Sequence, residues 1–267
     1  MESIETSGEP QRQATVGPVD ETRPASAFEP GLGRTVLLPL GFAVAFATRY
    51  GLGTSMTVAV GAAAPLIVLF AAAPALAAAS ARRFEGALAS ALATGDAPRL
   101  QAAWAQARLF RWFGPAAAVA EKRGLVAAVA GDPLAARRAY GEARAAHGAH
   151  APLGVELGYG DACYALGDDA EATKAYRRVL AIDPTLHRVR RALAHALLRH
   201  GPAADAAEVL ASCPEPPDPT EAHHYRLLRA AAYRAAGDPE AAKRWKKKAG
   251  RPRDDLAREL AALGRAG

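Results

Sequence analysis

The sequence predicts an all-α protein in which about five helix-turn-helix units follow one another behind a pair of apolar helices. Three observations predict it. A turn glycine recurs at Gly95, Gly131, Gly167, Gly201 and Gly237, at intervals of 36, 36, 34 and 36 residues. The composition is 51% hydrophobic but only 6% aromatic and rich in alanine, which suits closely packed helices better than sheets. From Thr35 to Ala81 a single charged residue, Arg49, interrupts a long apolar run.

Residues 1–33 read as a disordered acidic tail. Glu2, Glu5, Glu9, Asp20, Glu21 and Glu29 outnumber Arg12 and Arg23 among Ser, Thr, Pro and Gly. Such a segment buries too little apolar surface to offset the entropy lost on ordering.

Residues 34–81 read as a transmembrane helical hairpin, with helices at about 35–48 and 56–79 and a tight turn at Gly51-Leu52-Gly53-Thr54-Ser55. A span needs about 20 apolar residues. The second run is long enough alone; the first requires Arg49 to snorkel and Tyr50 to sit at the interface. Pro39, Pro65 and Pro74 are compatible with spans. A single span, a buried helical pair and a cleaved signal ending near Ala75–Ala81 are the competing readings. The last lacks the basic stretch that opens a signal peptide. Arg82 and Arg83 follow the second run at once, so the basic-side rule places the remainder of the chain in the cytoplasm. The arginine- and alanine-heavy composition points to a bacterial inner (cytoplasmic) membrane.

Residues 82–248 hold the repeats, and Leu166–Pro184 is the clearest copy. Gly167 suits the left-handed turn that ends one helix, and Asp168 suits the N-cap of the next, with Glu171 placed to complete a capping box. Ala172, Ala175, Tyr176, Val179 and Leu180 share one helical face, and Pro184 stops the helix. Five residues past each turn glycine come Leu100, Ala136, Ala172, Ala206 and Ala242; nine past come Trp104, Tyr140, Tyr176, Leu210 and Lys246. The small residue lets two helices approach, and the large one fills the space toward the next unit.

In this copy Gly160, Gly167, Ala172, Tyr176 and Pro184 stand at the signature positions of the tetratricopeptide repeat family, which the chain resembles over about residues 82–248. Gly124 matches one unit earlier, and Leu193, Ala194, Gly201 and Ala206 one unit later. Glu156 stands where the family has an early tryptophan. The resemblance implies an α-solenoid of about five TPR-like repeats and a binding surface. Solenoid ends need covering. Residues 249–267, with Leu256, Leu260 and Leu263 spaced along one helical face, read as a C-terminal capping helix.

No Walker loop, G-x-S-x-G elbow, H-E-x-x-H or cysteine metal motif is present. The chain is therefore expected not to be an enzyme and to need no cofactor or metal. Cys163 and Cys213 read as buried thiols of a reducing compartment. The resemblance implies that the first helix of each unit faces the ligand. Carried over by position, the groove comprises Arg188, Arg191, His195 and Arg199; His224, Leu227 and Arg234; and Leu157, Asp161 and Tyr164. Arginines three and four apart share a face and bind carboxylates through paired N–H groups. The expected function is a membrane-anchored scaffold or adaptor that binds a protein partner's acidic or C-terminal peptide. The alternative is an anionic-lipid or nucleic-acid module using Lys243, Arg244, Lys246, Lys247, Lys248, Arg251 and Arg253 around Trp245.

Overall fold

The period of the turn glycine becomes a period of helix pairs in the computed structural model, which describes residues 32–250 apart from position 213. Among the described residues there are twelve α-helices and no strand. They are α1 (Leu32–Phe46), α2 (Met56–Thr94), α3 (Ala97–Gln106), α4 (Arg108–Phe113), α5 (Ala116–Val129), α6 (Pro133–His147), α7 (Leu153–Ala165), α8 (Asp169–Ile182), α9 (His187–His200), α10 (Ala203–Ala211), α11 (Pro219–Ala235) and α12 (Pro239–Ala249). From residue 82 onward the end of α2 pairs with α3, and the later pairs are α5–α6, α7–α8, α9–α10 and α11–α12. Among the described residues each pair packs on the next, as in a solenoid. The helix α4 is an addition that the periodicity does not foretell.

Local chemistry explains the turns. Gly95, Gly131, Gly167 and Gly237 have φ of 69°, 76°, 80° and 82°, the left-handed conformation that glycine adopts without a Cβ penalty. Asp96, Asp132, Asp168 and Asp238 then cap the following helix, each accepting from the backbone N–H three residues on. Gly201 departs from the pattern, with φ −121° and ψ −176°. Pro202 follows it, and a residue before proline is driven to extended backbone. The capping box at Asp168 is also not formed: the Asp168 N–H donates to Cys163 O, and the Glu171 carboxylate is taken by Lys174.

The small and large positions mesh as expected. Leu100, Ala136, Ala172, Ala206 and Ala242 are all buried, and so are Tyr140, Tyr176 and Leu210. A Cβ on Gly124 would come within 2.9 Å of the Tyr140 ring, and one on Gly160 within 2.9 Å of the Tyr176 ring. These glycines let each tyrosine lie flat against the partner helix. The last unit is open, with Lys246 exposed and Trp245 covered by Arg229 at 4.0 Å and Lys248 at 4.8 Å.

The expectations for the N-terminal region need two corrections. One described helix, α2, is long and apolar enough to cross a membrane; a hairpin of two spans is not formed. The 15 residues of α1 rise only about 22 Å, against a hydrocarbon core of about 30 Å, and the helix ends in a π-helical turn, Ala47–Gly51. It folds back on α2, with Gly41 facing Leu66. Second, α2 does not stop at Ala79. It runs on through Arg82 and Arg83 to Thr94, where Gly95 ends it; the stretch has no proline, and its alanines, arginines and leucines outweigh the single Gly86. Ala75–Ala81 therefore lies mid-helix. Most of the acidic tail, the capping helix and Cys213 lie outside the described residues; Cys163 is buried.

Candidate binding groove

Helices α5, α6 and α7 leave a groove of about 550 Å³ between successive units, to whose lining α9 contributes Arg188. Its floor is small: Ala128, Ala136, Gly154 and Gly158 line it, with Leu125 and Leu157 as the apolar walls. Tyr140 reaches it from α6, seated so closely that a Cβ on Gly158 would come within 2.3 Å of its ring. Burial, helped by the nearby carboxylates of Glu121 and Asp161, pushes the Tyr140 phenol up to about 12, so it lines the groove as a neutral group.

Asp161 supplies the groove's acid. Its Oδ1 accepts from the Tyr176 hydroxyl at 2.9 Å, and Oδ2 pairs with Arg188 at 3.2 Å. Burial raises the Asp161 carboxyl above its usual range, against the opposing pull of Tyr176 and Arg188. Arg188 remains 73% exposed, so its guanidinium has faces left for another acceptor.

Of the ten residues expected to form the groove, Leu157, Asp161 and Arg188 come together there. The others are used differently. Arg191 is largely covered and pairs with Glu221 of α11 at 3.3 Å. Arg199 turns onto buried Asp169 of α8 at 2.7 Å, donates to Tyr164 O, and stacks 4.2 Å over the Tyr164 ring. His195 is buried, its ring 6.0 Å edge-on from His224 between α9 and α11. Leu227 belongs to the core, and Arg234 is exposed at the end of α11. The stripe of arginines is thus mostly a set of ties between units.

The first turn of α7 shows the same use of charge. Glu156 is 5% exposed and receives Arg144 of α6 at 2.9 Å and Arg178 of α8 at 3.1 Å. The carboxylate is gripped from both neighbouring helices. Residues 160–201 match the family model described as TPR repeat. A TPR repeat is present. It covers the end of α7, α8 and α9, the unit with Tyr176 at its centre, and TPR repeats are protein–protein interaction modules. No curated protein matches the chain.

Leu125 and Ala128 were not among the expected groove residues, although a signal for them exists. They sit 36 residues before Asp161 and Tyr164, so the register that yields the latter pair yields them too. The basic cluster at the C-terminal end is partly neutralised: Lys248 and Arg226 both bind Glu215, and Lys243 binds Glu240 at 2.9 Å. Arg251 and Arg253 lie outside the described residues.

Proposed function

We propose that the chain is a membrane-anchored TPR scaffold that holds a segment of a partner protein in the groove between α5, α6, α7 and α9. The groove carries the partner reading: it is open, floored by alanine and glycine, walled by leucine and edged by an exposed guanidinium. That surface admits an extended segment with one or two apolar side chains for Leu125 and Leu157 and a carboxylate for Arg188. The carboxylate competes with Asp161, so it contributes less than a contact to an unpaired arginine. The reading gives the chain no catalytic role.

Support for the anchor comes from the burial pattern of α2. Ala59, Ala63, Ala73 and Ala77 are buried, whereas Val58, Val60, Ile67 and Val68 are at least half exposed. In water each large side chain left outside forgoes roughly 1.5–3 kcal/mol. In lipid that driving force vanishes and small residues form the helix contacts. Arg82 and Arg83 then set the repeats on the cytoplasmic side of a bacterial-type inner membrane.

The groove is tested by filling it. Gly154 is exposed, and a Cβ there meets nothing within 4 Å, so Gly154→Trp occupies the groove without disturbing the core. We expect a protein that co-purifies with the wild type from solubilised membranes to be lost with this variant while helicity is unchanged. Identical co-purifying proteins for both would refute the groove.

A further inference from the structure

The short helix α4 belongs to no repeat, and its residues have the composition of a membrane-surface contact. Its sequence is Arg108-Leu109-Phe110-Arg111-Trp112-Phe113. Phe110 anchors it by packing with Phe84 and Leu88 of α2. Leu109 and Trp112, three residues apart and so on one face, are 43% and 64% exposed. Arg108 and Arg111 are exposed beside them. A tryptophan left 64% exposed is unexplained by the packing of the repeats.

Its place in the fold supplies the explanation. Leu109 shares a cavity of about 310 Å³ with Leu76, Ala79, Ser80 and Arg83, the point where the apolar run of α2 gives way to charge. The same helix also packs on α1. Arg82 and Arg83 are exposed at this level, with Glu85 the acid on the next stretch of α2. The exposed tryptophan, leucine and four guanidiniums therefore lie where α2 leaves the hydrocarbon.

We infer that α4 is a surface foot: Trp112 and Leu109 enter the headgroup boundary of the leaflet from which α2 emerges, and Arg108 and Arg111 bind anionic headgroups. Tryptophan suits that depth because its ring is apolar and its N–H is polar, and arginine suits phosphate through paired donors. The foot fixes how far the first repeat stands from the bilayer, since α2 is one continuous helix through the junction. This inference rests on the membrane reading of α2 given above.

The test uses the full chain reconstituted in vesicles of neutral phosphatidylcholine, with or without anionic phosphatidylglycerol, carrying brominated acyl chains. Carbonate extraction comes first. Release of the protein would sink the anchor and the foot together. If it is retained, tryptophan emission is compared with that of Trp112→Phe. Trp104 is half-buried between Phe84 and Phe110 and Trp245 belongs to the last repeat, so the quenching lost in the variant is that of Trp112, and a clear loss is expected. The double variant Arg108→Gln, Arg111→Gln should erase the excess quenching seen with anionic lipid. Retention with equal quenching of wild type and Trp112→Phe overturns the foot while leaving the anchor standing. Quenching that depends on Trp112 but is indifferent to anionic lipid and to both arginines overturns the headgroup half of the proposal.

Discussion

The α1–α2 pair and the α7–α9 unit are built from the same alanine-rich material and are turned inside out relative to each other. In the first, alanines face the contact and Phe42, Val58, Ile67 and Val68 point outward. In the second, Val155, Tyr176, Val179 and Leu193 are within 2% of complete burial, and arginines and acids cover the outside. The units are also held differently. Ion pairs tie α7 to α6, α8 and α9, whereas α1 and α2 meet through small residues and turn contacts. Hydrophobic content alone therefore does not say which side chains a helix pair buries.

Cutting one large side chain from each region should have very unequal effects. Tyr176→Ala leaves a cavity against Gly160 and removes the bond to Asp161, and should destabilise the repeats by about 4 kcal/mol. Ile67→Ala should leave the same unfolding transition unmoved. Urea denaturation of the detergent-solubilised chain, followed by circular dichroism, measures both. Equal shifts would mean that the exposed face of α2 is not outside the folded core at all.

Removing the buried charge sharpens the contrast at intermediate size. Glu156→Ala strips Arg144 and Arg178 of their shared acceptor, and should cost roughly 3 kcal/mol. Arg178→Ala should cost clearly less, because Arg178 is 46% exposed and Arg144 still holds the carboxylate. An indifferent Glu156→Ala would show that packing, not charge, holds α7 between its neighbours.

The smallest expected effect is one of sign. Burial raises Glu215, but the bonds from Arg226 and Lys248 outweigh it and hold the carboxyl below its ordinary value. Its stabilising contribution is therefore present above the unfolded carboxyl range and is lost as pH falls through the depressed folded value. Asp161 is shifted upward, so its ionised form is a cost at neutral pH that protonation relieves. As acid is added, the wild type's melting temperature should fall toward that of Glu215→Gln, whereas against Asp161→Asn it should gain. Parallel behaviour of the two variants would contradict one of the two assignments.

Much of the fold was legible because its signals are local. A glycine followed by aspartate ends one helix and caps the next within a few residues, so the helix pairs and their register could be read directly. Gly201 joins α9 to α10 as expected but in extended backbone, because Pro202 acts on the residue before it, and the capping box fails because Lys174 reaches Glu171 from the next turn of the same helix. The groove was legible in three residues out of ten. Register shows which residues share a face, but not which neighbour a long side chain will find.

By itself, then, the sequence determined the helix pairs, the turn glycines, the small and large seam of Ala172 and Tyr176, and an apolar segment long enough to span a bilayer. These follow from backbone conformation and short-range spacing. Only the tertiary structure decided that Arg191 and Arg199 are spent on Glu221 and Asp169, each 30 residues away, that Glu156 is gripped from both sides, and that α2 runs unbroken from the apolar segment into the first repeat. An arginine side chain can reach any acceptor that packing brings near it, and packing is a property of the assembled units.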